Sequence, residues 1–162
     1  GVQAARVPVD LGEVARSTLR LLSPLAESLG VTLRCEPEPG CIISASEDDV
    51  YQIVFNLAEN AVKYNVEGGS VDIRVRRGEG RILLDVEDTG IGIPEADLPN
   101  IFSRFYRVDK ARSREKGGSG LGLSIVHDAV TALGGSITVE HREGGGTRFS
   151  VSFPEPGEGA RQ

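Results

Sequence analysis

The chain has no Met and no Trp, only two Cys, and only five Phe and three Tyr among 162 residues. Its core must therefore be aliphatic. Nowhere do about 18 apolar residues run together, and no charged leader precedes an apolar stretch, so neither a membrane-spanning helix nor a signal peptide is expected. Cys35 and Cys41 lie six positions apart with no His at metal-ligand spacing, so two reduced thiols are expected rather than a disulfide or a metal site. Surplus positive charge is missing too. A net charge of −6 argues against nonspecific grip on nucleic acid or an anionic membrane, and neither is expected as a partner. Without an initiator Met, Gly1 is expected to be a boundary inside something longer.

What the chain has in excess is glycine, 21 residues, roughly twice the usual share of about 7%. No strict period accompanies it, and 39% of the chain is hydrophobic, which excludes collagen-like and low-complexity classes. A chain of this length buries roughly 70% of its unfolded surface, enough for one core without staples.

Asp10 to Leu29 has the pattern of an amphipathic helix, with Asp10 and Glu13 as a capping box, Gly30 as its stop and Pro24 expected to kink or divide it. Residues 31–36 and 41–45 are short strand candidates. Ser46 then caps a long helix through about Tyr64, and Ser70 to Arg76 with Arg81 to Asp88 forms a hairpin around Gly78-Glu79-Gly80. Residues 94–119 are polar, basic and poor in aliphatics, longer than an ordinary connection, and read as a functional lid. A helix from Leu121 to Leu133 and two final strands follow. Val71, Ile73 and Val75 alternate with Asp72, Arg74 and Arg76, leaving one wet sheet face. The expected fold is therefore α+β, a two-layer α/β sandwich with helices on one face. Its domain spans residues 10–153, with residues 1–9 as an extension and 154–162 as a flexible tail.

Three segments carry candidate chemistry. On the long helix Asn56, Asn60, Lys63 and Tyr64 share a stripe beside the apolar set Val50, Ile53, Val54, Leu57 and Ala61. This suits a cavity wall offering an amide oxygen, an ammonium and a ring, or equally a boundary face of snorkelling polar groups. Asp88 continues the inward parity of Ile82, Leu84 and Val86, where an unpaired carboxylate is costly unless a donor such as the exocyclic amine of a base arrives. It opens Asp88-Thr89-Gly90-Ile91-Gly92-Ile93, whose glycines allow close backbone approach; a plain surface turn is the alternative. Gly117-Gly118-Ser119-Gly120-Leu121-Gly122-Leu123 opens a helix, where free N–H groups and the dipole make an anion site. It is neither a P-loop nor a Rossmann fingerprint. Between these lie Phe102 and Phe105, candidate anchors of the lid, and a basic run that includes Arg107, Lys110, Arg112, Arg114 and Lys116.

The order Asn56-Leu57-Ala58-Glu59-Asn60-Ala61-Val62-Lys63-Tyr64, Asp88-x-Gly-x-Gly, the Phe-rich segment and Gly-x-Gly-Leu-Gly-Leu resembles the N, G1, F and G2 boxes of the catalytic ATP-binding domain of sensor histidine kinases. The resemblance covers residues 10–153. It implies the Bergerat ATP-binding fold, a mixed sheet with helices on one face, and ATP with Mg²⁺ as cofactors. It further implies Asn60 as the Mg²⁺ ligand, Lys63 on phosphate, Tyr64 and Tyr106 beside the nucleotide, and Asp88 as the reader of the adenine amine. Gly90, Gly92 and Ile93 would form the close turn, Gly118, Ser119, Gly120, Leu121, Gly122 and Leu123 the phosphate cradle, and Arg107 the catalytic contact to the γ-phosphate. Asn56 stands where gyrase-type and chaperone-type relatives carry a glutamate that activates water. An amide is no general base at neutral pH, so slow hydrolysis is expected and the phosphoryl group is kept for a protein acceptor.

That acceptor is expected on a histidine-bearing dimerisation domain outside this sequence, with a cognate response regulator downstream. His127 and His141, the only histidines, are read as a surface residue and a structural edge residue. The chain itself is expected to be monomeric and cytoplasmic, its parent homodimeric and membrane-anchored. Two other readings remain: a nucleotide-binding regulatory module without phosphotransfer, and an autonomous ATPase.

Overall fold

A computed structural model describes residues 5–106 and 122–157. The chain begins with β1 (Val7–Asp10), α1 (Leu11–Leu29), β2 (Thr32–Pro37), β3 (Ile42–Ala45) and α2 (Glu47–Lys63). β4 (Ser70–Gly78), β5 (Arg81–Asp88), a short 3-10 helix (Glu95–Asn100), α3 (Gly122–Ala132), β6 (Ser136–His141) and β7 (Thr147–Pro154) complete it.

α1 starts where the Asp10 side chain accepts the Glu13 N–H at 3.2 Å. It stops where Gly30, at φ 71°, turns left-handed and donates to the Ala26 and Glu27 carbonyls. Leu11, Val14, Ala15, Thr18, Leu19, Leu22 and Ala26 recur at helical spacing and are buried. Pro24 does not divide the helix, which runs unbroken from Leu11 to Leu29. The ring sits on the exposed side, where water replaces the one backbone bond that proline forfeits.

The main sheet has the order β2-β4-β5-β7-β6. β2 pairs with β4 in parallel and every other pairing in it is antiparallel, so the sheet is mixed. Glu79 and Gly80, at φ 51° and 75°, make the two-residue turn between β4 and β5, the left-handed geometry whose twist matches a tight hairpin. Of the expected extension, residues 7–9 belong to a strand of the fold. Val7–Asp10 pairs antiparallel with β3, Val7 opposite Ala45 and Asp10 opposite Ile42. At the other end, Pro154 is still paired opposite Arg81.

Val71, Ile73, Val75, Ile82, Leu84, Val86, Phe149, Val151 and Phe153 fill one sheet face and are buried; α1, α2 and α3 pack over the sheet. The opposite face is wet and charged, with Arg34–Asp72, Arg74–Glu87 and Arg76–Asp85 paired at 3.7, 3.7 and 3.9 Å. Exposed pairs of this kind stabilise little individually, up to ~1 kcal/mol. His141 keeps the parity of Ile137 and Val139 but is exposed at the strand end. Cys35 and Cys41 are free thiols, half-buried and buried. No described helix is long and apolar enough to cross a membrane.

Candidate functional site

α2 carries the first wall. Ile53, Val54, Leu57 and Ala61 are fully covered, while Asn56, Asn60, Lys63 and Tyr64 are all half-buried along its margin. The stripe thus borders the core. The Asn56 amide N–H₂ donates to the Gln52 carbonyl at 2.8 Å, which leaves its oxygen facing outward. A Cβ placed on Gly122 would lie 3.6 Å from that oxygen, so the start of α3 is brought against Asn56. Leu123 follows, half-buried on the core. Lys63 Nζ lies 3.5 Å from Glu59 Oε1, each side chain about 30% exposed. Glu59, the one other carboxylate on this stretch of helix, is therefore held by an ammonium. The Asn60 amide makes no hydrogen bond to any described residue.

At its C-terminus α2 is tied to the glycine loop. Tyr64 caps the helix, donating its N–H to the Asn60 carbonyl at 3.1 Å. Its own carbonyl accepts the Ile91 N–H at 3.1 Å. A Cβ on Gly90 would lie 2.4 Å from the Tyr64 oxygen, so only glycine permits this approach. Asn65, Ser70 and Thr89 lock the same corner. Asn65 donates to the Ser70 carbonyl at 2.9 Å, Ser70 N–H donates to the Thr89 hydroxyl at 2.8 Å, and that hydroxyl donates to Asn65 Oδ1 at 3.3 Å. Gly92 turns left-handed at φ 76°, and Ile93 packs partly buried on the core.

Asp88 lies at the floor, 8% exposed. Its carboxylate accepts the Gly90 N–H at 2.8 Å and the Thr147 N–H. No described cation pairs with it at ion-pair distance. Burial pushes its pKa from 3.8 up to about 6, against the two backbone donors and the more distant Arg142, which pull it down. Across the ladder, Thr147 stands opposite Asp88 and is buried, 5% exposed. A Cβ on Gly146 would come within 1.9 Å of the Asp88 carbonyl oxygen, so the tip of the last hairpin presses directly on the floor. Thr147 and Gly146 were not singled out in the sequence. The signal for Thr147 was available, because it shares the parity of Phe149, Val151 and Phe153.

Beyond Ile93 the 3-10 helix runs over the surface with no buried residue, and the chain returns to the core after it. Ile101 is buried, and Phe102 meets Phe149 edge-on at 6.2 Å and His127 at 5.5 Å. Phe105 does not anchor this segment as expected: it is 67% exposed. The Tyr106 hydroxyl donates to Asp97. His127 is exposed, with Nδ1 3.6 Å from the neighbouring Asp128 carboxylate, and caps the Phe102 ring. The expected sites Arg107, Gly118, Ser119, Gly120 and Leu121 lie outside the described residues.

The pieces compose a half-covered wall of amide, ammonium and ring, an anionic floor with no cation among the described residues, and a glycine loop whose backbone lies close to the end of α2. A family model for "Histidine kinase-, DNA gyrase B-, and HSP90-like ATPase" matches residues 45–157, which takes in every element from α2 onward. The chain belongs to this family of ATP-binding domains. Within it, the curated relatives that this chain resembles are sensor histidine kinases. It is 42% identical over 124 residues to the sensor histidine kinase WalK of Bacillus subtilis, covering 75% of this chain and 20% of WalK. With YkoH, a sensor histidine kinase of the same organism, it is 34% identical over 161 residues, 99% of this chain and 35% of YkoH. A structure of full-length ShkA in complex with AMPPNP superposes with a TM-score of 0.82 at 32% identity, over 94% of this chain and 32% of ShkA. The chain thus spans a fifth to a third of the length of these relatives.

Proposed function

We propose that this domain binds Mg²⁺-ATP and donates the γ-phosphoryl group to a histidine on a dimerisation domain of the same kinase, from which a response regulator takes it. The observation that carries the reading is Asp88. A buried carboxylate with acceptor capacity to spare and no described cation invites a neutral donor, and the amine of adenine supplies one. Guanine presents a carbonyl oxygen there, so acceptor would meet acceptor.

The remaining roles are those the family resemblance implies. Tyr64 and Tyr106 flank the nucleotide, Gly90, Gly92 and Ile93 admit it to the backbone, and Lys63 exchanges Glu59 for a phosphate oxygen. Asn60 offers a hard amide oxygen of the kind Mg²⁺ takes. When bound, the metal supplies charge neutralisation across the phosphates. Gly118 to Leu123 cradle the phosphates and Arg107 meets the charge that develops on the γ-phosphate. Asn56 supplies no base, which favours transfer to protein over hydrolysis to water. ATP as substrate places the domain in the cytoplasm, the parent kinase being anchored in the membrane.

Calorimetric titration of the chain with ATP and with GTP, each with Mg²⁺, tests the floor. ATP is expected to bind at least about tenfold more tightly, a difference of ~1.4 kcal/mol. Equal affinities, or no binding of ATP, would remove the adenine assignment of Asp88.

A further inference from the structure

The last hairpin ends in three consecutive glycines. Beyond the ladder pair of His141 with Thr147, Gly144, Gly145 and Gly146 stand at φ 88°, 113° and 105°, and a Cβ on Gly145 would meet nothing within 4 Å. Such a run has no side chain to pack and gives up the most conformational freedom when it is ordered. Its position nevertheless matters at the floor. Gly146 lies against the Asp88 carbonyl, and a Cβ on Gly92 would lie 3.9 Å from the Gly146 carbonyl oxygen. The Thr147 N–H is one of the two backbone donors to the Asp88 carboxylate.

Arg142 supplies the order that the glycines lack. Its backbone N–H donates to the Gly146 carbonyl at 3.0 Å, and its carbonyl accepts the Gly145 N–H at 3.1 Å. Its guanidinium Nη1 donates to the Glu143 and Gly145 carbonyls at 3.1 and 3.2 Å, while Nε lies 3.4 Å from Glu87 Oε1. Glu87 precedes Asp88 on β5 and so points to the opposite sheet face, where its other oxygen meets Arg74 at 3.7 Å. One half-buried guanidinium thus joins the hairpin tip to the strand that carries Asp88, a task its planar fork suits better than an ammonium. Arg142 and Glu87 also act on the Asp88 carboxyl by charge. Burial raises its pKa most, Arg142 pulls it down and Glu87 pushes it up.

We propose that Arg142 is a positioning residue for adenine recognition: its guanidinium, seated on Glu87, holds the glycine tip so that the Thr147 N–H takes one part of the Asp88 carboxylate and the rest stays free for the amine. This rests on the reading of Asp88 given above. Arg142 touches no nucleotide in this scheme and acts through the tip.

The test compares two nucleotides that differ in the base. Affinities of ATP and GTP are measured by calorimetry with Mg²⁺ at neutral pH for the chain and for Arg142→Ala, Arg142→Lys, Glu87→Ala and the Arg142→Ala/Glu87→Ala pair. Arg142→Ala is expected to lose about fivefold in ATP affinity, the worth of one hydrogen bond, with GTP affinity kept within about twofold. Glu87→Ala loses ATP affinity in the same direction, and the pair loses no more than the weaker-binding single variant. Arg142→Lys, which keeps a cation on Glu87 but cannot reach both carbonyls, falls between Arg142→Ala and the unaltered chain. Arg76→Ala, which breaks the Arg76–Asp85 pair on the same sheet face, changes neither affinity. Were Arg142 acting by charge alone, Arg142→Ala and Glu87→Ala would shift ATP affinity in opposite directions. That outcome, equal losses for both nucleotides, no loss for either, or losses that multiply in the pair would overturn the tie. If instead the unaltered chain binds ATP and GTP alike, the fault lies with the reading of Asp88, and the inference falls with it.

Discussion

Asp88 is held ionised at neutral pH inside a wall of apolar side chains, and that is a cost the unliganded domain carries. A pKa of about 6 against 3.8, at ~1.4 kcal/mol per unit, amounts to about 3 kcal/mol of lost stability above pH 6. The sign follows from the raised value: the folded state binds the proton more tightly than the unfolded one, so stability recovers as pH falls from above 6 toward 4. Asp88→Asn is therefore expected to stabilise the nucleotide-free chain by up to about 3 kcal/mol at pH 7.5 and by about half of that at pH 5, read by urea unfolding at the two pH values. The same substitution costs adenine discrimination, the usual exchange of stability for function at a site. A gain that is absent at pH 7.5, or larger at pH 5, contradicts the burial account of Asp88.

Asp88 was legible because strand parity alone aims it inward. Asn56, Asn60, Lys63 and Tyr64 were legible because helical spacing sets them beside an apolar stripe. Gly146 and Thr147 were not, because Gly144 to Gly146 reads locally as turn punctuation. Which strand end that turn abuts is a matter of register between β5 and β7, and no local pattern states it. The hydrogen bond between Asp97 and Tyr106 was hidden for a similar reason, since a polar residue in an irregular segment shows its partner only after the chain has turned back.

Among the elements, the long helices and the β4–β5 hairpin were readable from period and turn chemistry, and β1 was not. Val7–Asp10 is four residues long, contains Pro8, and has only Val9 buried; its stability comes from β3, a tertiary partner. Pro24 misled in the other direction, because a helix tolerates proline where the lost bond faces water. The hairpin tip supplies a direct test of element packing. Gly146, at φ 105° and against the Asp88 backbone, and Gly80, at φ 75° with nothing within 4 Å of its absent Cβ, differ in what surrounds them and in how far φ lies beyond the left-handed well. Gly80→Ala is expected to cost ~1 kcal/mol, the strain of the left-handed turn. Gly146→Ala is expected to cost about 3 kcal/mol and to weaken ATP binding, because Asp88 must move. Chemical denaturation and calorimetry of the two variants read both quantities, and equal costs would mean that the hairpin tip does not support the floor.

At the scale of the whole molecule, the helices cover one face and leave the other to paired charges. Burial is thus spent on a single core whose rim, where α2, the glycine loop and the end of β5 meet, is the proposed nucleotide site. The glycine excess marks that rim and the turns around it. Asn56, with its amide back-bonded to Gln52, offers no general base, which fits the proposed transfer to an acceptor on another domain.

The most direct measurement is transfer of label from [γ-³²P]ATP to a separately supplied histidine-bearing dimerisation domain, with release of labelled phosphate followed in parallel with and without that acceptor. The account predicts an acid-labile, base-stable phosphohistidine on the acceptor and only slow phosphate release when the acceptor is left out. Rapid multiple turnovers without acceptor, or ATP binding with no labelled acceptor, would contradict it.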